Sequence, residues 1–143
     1  MRDYMNRIDL RRVLSPAAAG TDNTAMVGQI VDGLGYDGVI YAINLGVNTD
    51  INATFTVLLE HGDVANMSDA AAVPDAQLTG TEILAAFTAA ADDNKLKKLG
   101  YVGNKRYTRL TITPAANDSG NIFVTALAIL CGGRFSPAAN PPS

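Results

Sequence analysis

The feature that most constrains this chain is a two-residue alternation that keeps stopping at turn-forming residues. Val39, Tyr41, Ile43 and Leu45 fall on one face of a run that starts after Asp37-Gly38. Phe55, Val57 and Leu59 alternate with Thr54, Thr56 and Leu58 and leave at His61-Gly62-Asp63. Thr108, Leu110 and Ile112 oppose Tyr107, Arg109, Thr111 and Thr113, with Pro114 expected to close the strand. Met26 to Val31 is a further β-rich run ending at Asp32-Gly33-Leu34-Gly35, and weaker strand signals lie at Gln77–Leu78 and Lys95–Val102. A period of two with β-branched and aromatic enrichment, broken by Gly, Asp and Asn, predicts an all-β antiparallel sandwich or barrel. With 143 residues there is material for one such domain.

Ile122 to Cys131 reads as the longest strand and departs from the alternation. One face carries Phe123, Thr125, Leu127, Ile129 and Cys131; the other carries Ile122, Val124, Ala126, Ala128 and Leu130. A sheet with one wet face should alternate apolar and polar. Both faces here are apolar, so both are expected to be covered, the second by a loop, a helix or another subunit. Thr81 to Ala91 is alanine-rich with Ile83 and Phe87 at helical spacing and is expected to be a helix, although a strand entering Asp92-Asp93-Asn94 competes.

The ends look different from the middle. Residues 1–24 read as an N-terminal arm: Ser15-Pro16-Ala17-Ala18-Ala19-Gly20 has no period, and Ile8, Leu10, Val13 and Leu14 are scattered among charges. Residues 137–143 form a Pro-rich tail that cannot enter a helix or sheet interior. The sandwich domain is then 25–136.

The charge is segregated. Arg2, Arg7, Arg11 and Arg12 sit in the first twelve residues, no Lys or Arg occurs from Val13 to Asn94, and six cations crowd Lys95 to Arg109. A net charge of −3 argues against nucleic acid as the partner and for a surface that docks on protein. Hydrophobic residues at 48% and charged residues at 17% exclude global disorder. No apolar run approaches the ~18 residues of a membrane span, and the charged N-terminus is no secretory signal.

Chemistry is hard to find. One cysteine and one histidine leave no disulfide and no Cys- or His-rich metal site within the chain, so no cofactor or metal is expected. His61 reads as an exposed turn residue, Cys131 as an inert core thiol and Asp92-Asp93-Asn94 as a solvated turn. No local motif marks a nucleophile, and the chain is read as a non-enzyme. Without Trp, and with nine Tyr and Phe, carbohydrate stacking has little to work with.

Several pieces in order carry a family resemblance: Gly35-Tyr36-Asp37-Gly38-Val39-Ile40-Tyr41-Ala42-Ile43-Asn44-Leu45-Gly46, then Phe55 to Glu60, Leu78 to Glu82, Leu99-Gly100-Tyr101-Val102-Gly103-Asn104-Lys105-Arg106-Tyr107, and Arg109 to Pro114. Over about residues 25–136 the chain resembles the jelly-roll cement, or head decoration, proteins of tailed bacteriophages. The resemblance implies a structural virion protein, made in the host cytoplasm, that binds the capsid exterior and bridges major capsid subunits, often as a dimer. The expected partners are the major capsid protein and the chain itself, with no nucleic acid and no membrane. A carbohydrate- or receptor-binding jelly-roll module of a tail or spike is the alternative.

The residues expected at a capsid or subunit interface are Arg2, Arg7, Ile8, Leu10, Arg11 and Arg12 in the arm and Tyr101, Lys105, Arg106 and Tyr107 in the basic block. Cations and tyrosines are types enriched at interfaces, and Arg106 could instead pair with an acid of its own chain. A mobile arm that orders on a capsid neighbour should be removable at little cost to the fold.

Overall fold

A computed structural model describes residues 4–15, 18–88, 91–134 and 137–138. Among these residues eleven strands are formed: β1 (Ile8–Leu14), β2 (Met26–Val27), β3 (Val31–Asp32), β4 (Gly38–Asn48), β5 (Thr54–Gly62), β6 (Ala71–Ala72), β7 (Leu78–Thr79), β8 (Phe87–Thr88), β9 (Leu96–Tyr101), β10 (Tyr107–Ala115) and β11 (Ile122–Cys131). Sheet one has the order β1-β11-β4-β9-β7. Sheet two has the order β2-β10-β5-β6, with β3 also on β10 and β8 also on β5. Every pairing is antiparallel, and the two sheets make a jelly-roll sandwich.

The alternating positions close the core. Tyr41, Ile43, Leu99 and Leu130 of sheet one meet Phe55, Leu59, Leu110 and Ile112 of sheet two, all essentially without solvent contact. Each such aliphatic side chain contributes roughly 1.5–3 kcal/mol by leaving water. Two buried hydrogen bonds cross between the sheets. The Tyr41 hydroxyl meets Thr108 Oγ1 at 2.6 Å, and His61 Nδ1 meets the Tyr101 hydroxyl at 3.0 Å. Phe87 leaves the loop region to stack on Phe55, ring centroids 4.6 Å apart.

The N-terminal arm is corrected. Ile8–Leu14 is β1, the edge strand of sheet one, paired with β11 from Ile8↔Cys131 through Arg12↔Leu127 to Leu14↔Ala126 around a bulge. Its inward positions are Asp9 and Val13, both buried. The carboxylate at an inward position is what hid the alternation: Asp9 is held by Arg11, two residues along the strand, at 2.6 Å and by the Tyr36 hydroxyl, 27 residues away, at 3.2 Å. Gly20 bridges to Ile122, so the segment after β1 also belongs to the sandwich. At the other end, the Ala138 N–H donates to the Asn6 carbonyl at 2.9 Å. Residues 139–143 of the expected tail lie outside the described residues.

Other boundaries shift for local reasons. The run from Met26 to Val31 is split into β2 and β3 at Gly28, whose N–H bonds the Leu110 carbonyl at 2.8 Å. A Cβ there would lie 2.7 Å from Val13 Cγ1, an approach only glycine allows. The helix expected over 81–91 is a single turn, Glu82–Ala85, capped by Thr81 Oγ1 accepting from the Leu84 N–H. Burial of Phe87 against Phe55 outweighs the helical preference of the alanines. Pro114 does not close its strand but pairs with Phe55 inside β10. β2 follows β10 only at Thr111 and Ile112, which leaves that edge open to a residue without an N–H.

Candidate functional site

The outward positions of sheet one form rows across the strands. One row is Leu10, Ile129, Ile40, Gly100 and Thr79, from β1 through β11, β4 and β9 to β7. The next is Arg12, Leu127, Ala42 and Lys98, and a third is Thr125, Asn44 and Leu96. Phe123, at the end of β11, lies against Gly46, where a Cβ would come within 3.0 Å of the Phe123 carbonyl oxygen.

The expected cover is not supplied by the described residues. Leu10 is 43% exposed, Ile40 38%, Leu127 40%, Phe123 50% and Leu96 74%. Both faces of β11 are apolar, but only the face of Ile122, Val124, Ala126, Ala128 and Leu130 is in the core. Cys131 lies on the outward side, half-buried and free, so its expected place in the core is corrected as well. Toward β7 the face deepens into a groove of about 580 Å³ between Ile40, Gly100, Leu84, Leu96 and Val102, with Lys98 on its wall. A cleft of about 750 Å³ opens beside β1, between Leu10 and Leu34, with Arg11 and Tyr36 on its wall.

The expected interface residues divide. Ile8, Leu10 and Arg12 stand on the outward side of sheet one. Arg7 is exposed in the short helical turn before β1, Arg11 is engaged with Asp9, and Arg2 lies outside the described residues. The residues expected there from the basic block are drawn away from that face. Tyr101 is buried, which corrects its expected role as interface area: it packs edge-on against His61, and its hydroxyl accepts from the Lys105 N–H at 2.9 Å. Lys105 pairs with Asp63. Arg106 binds both oxygens of Asp32, at 2.9 and 2.7 Å, and lies over the half-buried Tyr107 ring with its guanidinium carbon 4.9 Å from the centroid. This is the internal pairing weighed for Arg106 from its sequence, and it holds the Asp32 carboxyl below the usual range.

His61 is likewise not an exposed turn residue but a buried one in β5, and burial together with the nearby Lys105 charge pushes its pKa down. Burial raises the Tyr101 and Tyr41 hydroxyls. The expected solvated turn at Asp92-Asp93-Asn94 is instead tied down. Asp92 holds Lys97 at 3.1 Å, and Asp93 accepts from the Asn48 N–H at 2.9 Å.

Ile40, Leu96 and Lys98 were not singled out from sequence, although the outward half of the alternation in β4 and β9 contained them. What the site offers is area rather than reactivity: a flat apolar strip on a five-stranded support, with a cation at each end of one row. Among the described residues, no group of three His, Cys, Asp or Glu side chains is placed to hold a metal, and no helix is long and apolar enough to cross a membrane.

No family model and no curated protein matches the chain. Solved structures match it at low identity and with TM-scores below 0.5. The SPBc2 prophage-derived protein YomS is 13% identical over 86% of this chain and 91% of its own, with a TM-score of 0.40. The xylan-binding module CBM15 is 13% identical over 94% and 96%, with a TM-score of 0.43. The CBM22-1-GH10 modules of Clostridium thermocellum endo-1,4-beta-D-xylanase 10B, complexed with xylohexaose, are 14% identical over 95% of this chain and 28% of theirs, with a TM-score of 0.43.

Proposed function

We propose that this protein is a structural virion protein that lays the outer face of sheet one on the exterior of a phage capsid and cements neighbouring major capsid subunits. The observation that carries the reading is the strip of exposed Leu10, Ile40, Phe123 and Leu127 around half-buried Ile129 on the outer face of sheet one. Contiguous exposed apolar area on a rigid sheet is the mark of a protein-docking surface. The sequence resemblance to phage head decoration proteins supplies the kind of partner. Repetition over a shell lets each contact be modest, because many copies act together. Self-association is the second contact expected of such a protein.

Sugar recognition leans on stacked aromatic faces, and the strands of sheet one present a single aromatic, Phe123, outward. The test is co-sedimentation with purified phage capsid shells, run in parallel with a glycan panel that includes xylan. Saturable shell binding without glycan binding is expected. Glycan binding with no shell binding would replace the reading with a carbohydrate-binding module.

A further inference from the structure

The cations of this molecule are mostly spoken for. Arg11, Lys95, Lys97, Lys105, Arg106 and Arg109 each hold a carboxylate of the chain. Four others hold none among the described residues: Arg7 and Arg134, which lie off the strands, and Arg12 and Lys98, of which Arg12 donates only to Ser15 Oγ, at 3.2 Å. These two share a row, Arg12–Leu127–Ala42–Lys98, one at each end. Three strand spacings separate them, roughly 14 Å at ~4.8 Å per strand. The apolar residues Leu127, Ile129 and Ile40 lie between and beside them. Sheet one places no carboxylate at an outward strand position, in a chain that has 14 acids against 11 Lys and Arg.

We infer that this face is built for an acidic protein surface, one presenting two carboxylates about 14 Å apart across an apolar strip, and not for a second copy of this chain. The inference rests on the docking reading above and specifies the partner's chemistry. A two-fold contact uses the same patch twice, so a second copy would bring only Arg12 and Lys98 toward Arg12 and Lys98. Like charges brought together at an interface select against that pairing, whereas opposite ones set orientation and speed the encounter. The apolar strip supplies affinity and the two cations supply register.

An extended segment rises ~3.4 Å per residue, so glutamates four residues apart span about 14 Å on one side of it. The probe is therefore a synthetic peptide with two glutamates four apart and valine between them on the same side, compared with a peptide carrying lysines in their place. Binding is followed by amide chemical shifts of the full chain. The acidic peptide should bind at least tenfold tighter and shift β1, β11, β4 and β9. The double variant Arg12→Glu with Lys98→Glu, if its far-UV dichroism is unchanged, should reverse the preference.

Equal affinity for the two peptides, binding of neither, or shifts confined to other surfaces would overturn the inference. So would a sedimenting dimer that Leu127→Glu dissociates, because a copy would then occupy the face. An intact acidic preference in a protein that ignores capsid shells would remove the shell reading alone and leave the partner's chemistry standing.

Discussion

The two sheets contribute to one core but treat water differently. Outward from sheet two stand Thr54, Thr56, Thr111 and Thr113, with Val27 and Leu58 flanking Thr111 and Arg109 opposite Glu60 at 2.8 Å. That face is mostly hydroxyl and paired charge, with Thr56 Oγ1 donating to the Thr113 carbonyl at 3.4 Å. The corresponding rows of sheet one carry leucine and isoleucine beside Thr125 and Asn44, and two cations that hold no carboxylate among the described residues. A half-solvated antiparallel sheet normally looks like sheet two. Both faces rest on the same packed interior, so the proposed docking, and not the core, would account for the difference. Stability and docking should therefore separate by face when residues are changed.

The largest effect is expected from the edge that belongs to both. Removing residues 1–14 strips β1 from β11 and uncovers Val13's site in the core. The loss should be about 3 kcal/mol or more from buried apolar area, a drop in Tm on the order of 10 °C. An unchanged melting curve would return β1 to the status of a dispensable arm.

The sharpest test of the contrast places one glutamate on each face. Leu127→Glu on sheet one should weaken shell binding tenfold or more, about 1.4 kcal/mol, with Tm moving little because the site is exposed. Leu58→Glu, outward on sheet two, should leave shell binding unchanged. Equal losses from the two variants would show that docking does not distinguish the faces.

A smaller effect, in the opposite sense, is expected for Arg109→Ala. Breaking its partly exposed pair with Glu60 should cost up to about 1 kcal/mol of stability, read as a Tm decrease of a few degrees, with binding intact.

The smallest is pH dependence. The folded pKa of His61 lies below its ordinary 6.5. The unfolded chain therefore takes up the proton first, and stability falls as pH drops below about 6.5, levelling once the folded form is also protonated. Denaturant midpoints measured from pH 7 to pH 5 should decline in the wild type and flatten in His61→Asn. A wild-type midpoint that is constant over that range would contradict the assignment.

Much of this was readable in the chain because alternation is a local signal. Val39 to Leu45, Phe55 to Leu59 and Thr108 to Thr113 keep apolar residues on one side, and all became inner-face positions. β1 was not readable, because Asp9 occupies an inward position and is made tolerable by Tyr36, 27 residues away. The proposed docking face was half readable. The second apolar side of β11 was visible, while Ile40 and Lys98 join it only through strand register, which sequence does not state. The basic block misled for the same reason. Its tyrosine and cations look like contact residues until Asp32, Asp63 and His61 arrive from other strands to engage them.

Asp50 bears on the order in which the chain assembles. Its carboxylate accepts from the Asp118 and Ser119 N–H groups, each at 2.9 Å, and from Asn52 at 3.2 Å, so it ties the β4–β5 turn to the β10–β11 turn across a gap of 68 residues. A tie over that separation has to wait until the intervening strands have brought both turns together, since the closure entropy of a long loop must be offset by other contacts first. Asp50 then acts as a latch fastened late in folding. Weakening it should hasten unfolding while leaving the rate of folding almost untouched.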